Sequence, residues 1–354
     1  MRRTVQITLG IVLLAAIGAY LLRGPIAMRA METTLQSAQS GGLMASLEDG
    51  LHVFLCGAGG PLPDPQRSGP CVAVVAGESM FVVDAGSGGA RNLIRAQLLP
   101  GQIDAVLLTH FHSDHIDGLG ELALMRWTTG SRRSPMLVIG PRGVEDVVAG
   151  FNSAYAMDAR FRTEHHGEKV VPSSGAGMTA KPFNRPKDRV GVPVWEDGDL
   201  KITMFGVEHQ PVRPAVGYRF DYKGRSVLVS GDTKKSDNLA YFARDIDLLV
   251  HEALAAHMIA VAERAARASG NEMRAKIMSD IPDYHATPVE VAEIAQAADV
   301  GHLLYYHVVP PLPVPGLDVV FLEGTADAYD GPITLGVDGT MISLPANSDV
   351  IEVQ

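Results

Sequence analysis

The sequence predicts a layered α/β protein. Three observations carry this. Apolar runs of strand length alternate with amphipathic helical stretches, in two successive sets. Most of those runs are apolar at every position, as in strands buried on both faces. Histidines and aspartates recur where the runs end, and three of the twelve histidines fall between His110 and His115.

The elements follow in order. "MRRTVQITLGIVLLAAIGAYLLRG" places two arginines before an apolar run from Ile7 to Leu22. It is slightly shorter than the roughly 20 residues of a spanning helix and fits a signal anchor or signal peptide over 1–23. Residues 24–48 form a weakly helical stalk, and the globular domain covers 49–354 with no composition break inside it. The N-terminal segment therefore predicts an exported chain, anchored to a membrane by its first helix, or secreted if that segment is cleaved. Arg23 and Arg29 beyond the run weaken any argument from charge asymmetry.

"LHVFLCGAGG" reads as a strand entering a glycine loop, and "CVAVVAGESMFVVDAGSG" as a hairpin turning at Gly77-Glu78-Ser79. "ARNLIRAQLL" is a helix, "IDAVLLTH" a buried strand, "DGLGELALMRWTT" a helix, "PMLVIGP" a strand and "GVEDVVAGFNSAYAMDARF" a helix. Residues 163–198 read as an irregular loop or insertion. Strands resume with "LKITMFGVEH", "AVGYRFDYKGRSVLVSGDT" around a Lys223-Gly224 turn, and "IDLLVHEAL". "AAHMIAVAERAARASGNEMRAKI" reads as one long helix. "TPVEVAEIAQAADV" is a helix with Thr287 as N-cap, Pro288 at N1 and Glu290 at N3. "HLLYYHVVPP" is a strand, and "GPITLGVDGTMISLP" a closing hairpin turning at Asp338-Gly339.

Bulk properties narrow the function. The net charge is −10 and the pI about 5.6. That opposes a polyanion as main partner, so no nucleic acid is expected. Cys56 and Cys71 are too few for a cysteine-rich zinc module, and a single disulfide between them is left open.

The chemistry sits at the strand ends. Asp84 ends "MFVVDAG", His110 ends "AVLLTH", and His209 ends "ITMFGVEH". Asp232 follows "VLVSGD", His251 follows "DLLVH", and His307 follows "HLLYYH". Loops at the carboxyl ends of strands gather into one crevice in layered α/β proteins. With His112, Asp114 and His115, the supply of imidazole and carboxylate groups suits one or two ions of zinc, manganese or iron.

The H-x-H-x-D-H run "HFHSDH", the strand-ending Asp84, the lone His209, "SGDT" and the strand-ending His307 together resemble the metallo-β-lactamase fold. "EHQPVRPAVGYRF", "LLVHEAL" and "YHATPVEVAEIAQAADVGHLLYYH" are similar to motifs of its ribonuclease Z and metal-dependent arylsulfatase branch, with Leu254 and Ala286 departing from the usual residues. The resemblance spans roughly residues 51–310 and implies a four-layer αββα sandwich. It implies two divalent metal ions, zinc first, with manganese or iron as alternatives. His110, His112 and His209 would hold one, Asp114, His115 and His307 the other, and Asp232 would bridge. Asp84 and His285 would support the ligands from behind. A metal-bound hydroxide would be the nucleophile, His251 the general acid, and Asp114 could also accept a proton.

The expected activity is hydrolysis of a small ester, a phosphodiester or aryl sulfate ester, with a lactone hydrolase or a non-catalytic tethered binding protein as alternatives. Ribonuclease Z proteins hold tRNA with a long arm between the third and fourth motifs. Here "QPVRPAVGYRFDYKGRSVLVSG" leaves room for one hairpin, which disfavours tRNA processing. A homodimer is left open.

Overall fold

The computed structural model describes residues 2–38 and 42–354. The chain divides into two compact units, Met1–Ser46 and Leu47–Gln354. In the first, helix α1 runs from Arg2 to Ala38 with Pro25 inside it, and a 3-10 turn covers Leu43–Ser46. Among the described residues no helix is long and apolar enough to cross a membrane. The side chains of Ile7 and residues 9–15, on which the anchor expectation rests, lie outside the described ones.

The second unit holds two sheets. The strands of the first are β1 (Gly50–Gly57), β2 (Cys71–Ala76), β3 (Ser79–Val83), β4 (Ile103–Leu107), β5 (Met136–Pro141) and β6 (Met178–Phe183). The second contains β7 (Val192–Asp197), β8 (Leu200–Gly206), β9 (Val216–Tyr222), β10 (Arg225–Val229), β11 (Leu248–Leu254), β12 (His302–Val309) and β13 (Ile333–Leu335). Strands β14 (Met341–Pro345) and β15 (Glu352–Val353) return to the first sheet, which is ordered β15-β14-β1-β2-β3-β4-β5-β6. The second sheet runs β13-β12-β11-β10-β9-β8-β7.

Between the sheets lies one apolar layer. Leu51, Val53, Val74, Phe81 and Leu107 of the first sheet meet Ile202, Val216, Phe220, Val227 and Val250 of the second. Each such side chain, once fully buried, contributes roughly 1.5–3 kcal/mol. On the outer faces pack α2 (Gly89–Arg95), α4 (Leu119–Gly130) and α5 (Val144–His166) against the first sheet. Helices α6 (Asp237–Phe242) and α9 (Pro288–Ala297) cover the second. The short α3 (Ser113–Ile116), α7 (Ala256–Ala268), α8 (Glu272–Asp280), α10 (Leu317–Phe321) and α11 (Thr325–Ala328) complete the set. The α9 capping box forms as its sequence predicts: Thr287 accepts from the Glu290 amide, and Glu290 accepts from the Thr287 amide.

Three element expectations are corrected. Residues 163–198 hold the edge strands β6 and β7, one in each sheet. Edge strands are half exposed, so "MTAKPF" and "VPVWED" lack the apolar continuity of central ones. The long helix after β11 is two, because Gly270 at φ +74° ends α7 and the Asn271 side chain caps α8. The closing segment is no hairpin: β13 pairs parallel with β12 and β14 antiparallel with β1. The Asp338 carboxylate instead accepts from the Ala58 and Ser68 amides and the Asn92 side chain. Those bonds tie the segment to the loop of residues 57–70 and to α2. Cys56 and Cys71, left open by the sequence, form a disulfide at the base of that loop.

Candidate metal centre

Strand direction brings the polar residues together. Strands β3, β4 and β5 are mutually parallel, as are β10, β11 and β12. Strand β8 is antiparallel to β9, and β9 to β10, so β8 runs in the same sense as β10. The carboxyl ends of β3, β4, β8, β10 and β12 therefore deliver Asp84, His110, His209, Asp232 and His307 to one edge. His112 precedes α3, whose first turn carries Asp114 and His115.

His307 reaches this edge through a bulge. The register of β11 with β12 shifts there: Glu252 faces Tyr306 and Ala253 faces Val308, leaving His307 as the extra residue. Its φ of +44° is left-handed. A bulge of this kind re-aims a side chain.

The donor atoms of His110, His112, His209 and Asp232 lie within 4.8 Å of one another, as do those of Asp114, His115 and His307. Asp232 stands between the two sets. Its Oδ2 is 3.7 Å from His110 Nε2 and 3.8 Å from His209 Nε2. Its Oδ1 is 3.3 Å from His115 Nε2 and 3.4 Å from His307 Nε2. Asp114 Oδ2 lies 3.3 Å from His307 Nε2.

The second nitrogens explain how the rings are held. His115 donates from Nδ1 to Asp84 Oδ2 at 2.8 Å. Asp84 also accepts from the Thr109 amide and hydroxyl, each at 2.8 Å. Because the Thr109 hydroxyl donates to Asp84, it accepts from His110 Nδ1 at 3.0 Å. His209 donates from Nδ1 to the Tyr284 carbonyl at 2.8 Å. In all three rings this fixes the tautomer and turns Nε2 toward the cluster. There the Nε2 atoms of His110, His115 and His209, and Asp232 Oδ1, are buried with no hydrogen-bond partner. Such buried orphans carry a cost of about 1–3 kcal/mol each that a cation would remove. The donor set fits a divalent metal of the zinc, manganese or iron kind.

Without an ion, protonation is shifted in opposite directions across the cluster. Burial pushes His110 well below its ordinary range, with His115 adding to the shift, and lowers His112 and His209. Burial would also lower His115 and His307, but the Asp232 carboxylate outweighs it, aided by Asp84 for His115 and Asp114 for His307. Both are held above the usual imidazole range. Burial opposes the ionised form of Asp232, yet His307 and His115 hold its carboxyl well below the carboxylate range.

His285 and His251 differ from expectation. Along β11, Leu248 and Val250 face the inter-sheet core, whereas Leu249 and Ala253 face the outer helices. Alternation therefore turns His251 outward and Glu252 toward the site edge. His251 is fully buried, bonds through Nδ1 to the Glu252 carbonyl at 2.6 Å, and joins none of the donor groups. His285 does join one, with Asp232 and His307. Its Nδ1 donates to Glu252 Oε1 at 3.0 Å, and its ring stacks 5.7 Å from that of His307. Glu252 and Thr109 were not singled out from the sequence. The period-two count along "LLVHEAL" was the signal for Glu252. Nothing in the sequence marks Thr109 beyond its place before His110.

The fold and cluster define a metal-dependent hydrolase. Residues 64–256 match the Metallo-beta-lactamase superfamily, and the chain belongs to that superfamily. Ribonuclease Z of Mycobacterium bovis (strain BCG / Pasteur 1173P2) is 32% identical over 290 residues, covering 81% of this chain and 96% of that protein. Ribonuclease Z of Mycolicibacterium paratuberculosis is 32% identical over 300 residues, covering 84% and 100%. Human tRNase Z, short form, superposes with a TM-score of 0.57 at 21% identity, covering 83% of this chain and 99% of that one. A diphosphatase of the PhnP family gives 0.53 at 16%, covering 84% and 98%. These two structures share the fold.

The expectation of export is corrected. The relatives matched are named Ribonuclease Z, and no described helix is apolar and long enough to span a membrane. The N-terminal segment was read from two arginines before an apolar run, a pattern that does not by itself distinguish an export signal from another apolar helix.

Proposed function

We propose that this chain hydrolyses a phosphodiester at a two-ion site. His110, His112 and His209 hold one ion, Asp114, His115 and His307 the other, and Asp232 both. Divalent ions bound there would supply Lewis acidity and a water of lowered pKa. Asp84 fixes His115 directly and His110 through Thr109. Asp114, with 13% side-chain exposure against 2% for Asp232, also accepts a proton in this reading.

His285 is the proton donor in this reading, replacing His251. Burial alone would lower its pKa, but Glu252 outweighs it and raises the imidazole above its ordinary value. Glu252 thereby favours the protonated ring, which lies beside the donor groups of Asp232 and His307. An alkoxide leaving from a phosphodiester needs such a proton, whereas an aryl oxide leaves with far less help. The Glu252–His285 pair is thus the observation that carries a phosphodiester over an aryl sulfate ester.

RNA is the second reading, favoured by the two relatives named Ribonuclease Z. Against it stands the tight β9–β10 hairpin, closed by Lys223-Gly224, between His209 and Asp232. The test is turnover by purified protein, with zinc or manganese added, of an alkyl phosphodiester, an aryl sulfate, a lactone and a 3′-extended tRNA. Cleavage of the diester is expected. No diester cleavage by protein with full metal content would overturn the reading.

A further inference from the structure

A cleft of about 570 Å³ opens on the His209 side of the cluster, lined among others by Arg142, Arg185, Glu208 and Arg213. Arg142 follows β5 and Arg185 follows β6. Both strands run parallel to β4, so these arginines stand on the edge that carries His110 and His112. Arg213 comes from the loop after His209.

Three guanidinium groups against one lining carboxylate make a cationic island on a chain of net charge −10. Two of the arginines are also held in place. Arg185 donates to the Val207 carbonyl at 2.9 Å and to Glu208 at 3.2 Å. Its guanidinium lies against Gly206, where a Cβ would meet Arg185 Cζ at 2.8 Å. Arg142 donates from Nε to Asn184 Oδ1 at 2.9 Å and lies 3.6 Å from Glu145. Among the described residues Arg213 enters no ion pair. Arg142 and Arg185 thus each have one carboxylate neighbour and Arg213 none, which leaves the three guanidinium groups in excess over the carboxylates, and a planar guanidinium fork matches phosphate oxygens.

We infer that this cleft binds a second phosphoryl group of the substrate, so that the scissile diester carries a further phosphate on its His209 side. The inference rests on the phosphodiester reading and narrows its substrate class. The same phosphate could belong to a small phosphorylated ester or to the next nucleotide of a polynucleotide.

The experiment uses the full chain with its metals and two small diesters differing only by one terminal phosphate, with a 3′-extended RNA hairpin as a separate arm. Wild type should favour the phosphorylated diester by about tenfold or more in kcat/KM, chiefly through KM. Arg213→Gln and Arg142→Gln should each shrink that ratio several-fold, and Arg142→Lys should restore part of it. A preference seen with the small ester assigns the phosphate to a small molecule. An arginine-dependent effect on KM seen only with the hairpin assigns it to a polynucleotide. A ratio near one in wild type, with hairpin KM unmoved by the variants, overturns the inference.

If no diester is cleaved, the phosphodiester reading falls, and calorimetry with inorganic pyrophosphate judges the cleft alone. Binding weakened by Arg213→Gln supports an anion site. Equal binding by wild type and variant removes it.

Discussion

His285 Nδ1 meets Glu252 Oε1 at 3.0 Å, while the neighbouring His251 bonds only to the Glu252 backbone carbonyl. One step along β11 thus separates a carboxylate bonded to an imidazole at the cluster from a histidine facing the outer helices. Glu252 also accepts from the Thr233 and Ala286 amides, so its position is fixed independently of His285.

From this pair follows a separation of effects by leaving group. His285→Ala should lower kcat on an alkyl diester by about 10²–10³ while metal content stays at the wild-type level. On a diester with a nitrophenolate leaving group the loss should be far smaller. His251→Ala should change the alkyl rate by no more than a few-fold. Parallel kinetics with metal analysis of each protein check this, and equal losses in the two variants would remove His285 from the proton-donor role.

Asp84 orients two candidate ligands, His115 and, through Thr109, His110, and joins none of the donor groups. Asp84→Asn replaces an anionic acceptor by a neutral amide at His115 Nδ1 and Thr109. Metal affinity should fall by about 10–100-fold. Competition with a chromophoric chelator reads this directly, with no need of a substrate.

Asp232→Ala removes the carboxylate that stands between the two donor sets and leaves His115 and His307 without their main charge partner. Metal content should fall sharply. Atomic emission on the dialysed protein measures it, and retention of the full wild-type content would rule out a shared role for Asp232.

Gly86 packs where no side chain fits. A Cβ there would lie 2.4 Å from Gly69 C, 2.5 Å from Asp114 O and 2.6 Å from Pro70 N. All three are backbone atoms, so the Gly69-Pro70 backbone and α3, which bears Asp114, must give way. Gly86→Ala should destabilise the fold by about 1–3 kcal/mol or more and lower metal content, as read by thermal unfolding and metal analysis.

The Cys56–Cys71 bridge closes a loop with a sequence separation of 15. Replacing both cysteines with serine should cost about 3 kcal/mol on the chain-entropy account. Urea unfolding of the variant and of wild type, each with and without reductant, checks this. Reductant should affect only wild type.

The sequence by itself determined the layered α/β class, because continuous apolar runs of strand length admit few other uses. It also placed Asp84, His110, His209, Asp232, His251 and His307 at strand ends, where loops gather into one crevice, with His112, Asp114 and His115 just beyond His110. Local chemistry was enough for the α9 capping box, whose partners lie three residues apart. Tertiary structure decided what depends on distant partners. Strands β6 and β7 were illegible because an edge strand lacks the uniform apolar pattern of a buried one. The helix after β11 was read as unbroken because the Gly270–Asn271 boundary lies inside an otherwise helical composition. Strands β13 and β14 read as a hairpin from their turn, yet pair into different sheets, since pairing is set by the open edges beside β12 and β1. The proposed exchange of His251 for His285 as proton donor has the same cause. Which face of β11 meets the site depends on how the second sheet stacks on the first. The strand sequence supplies the alternation, and only the packed sheets say which side is which.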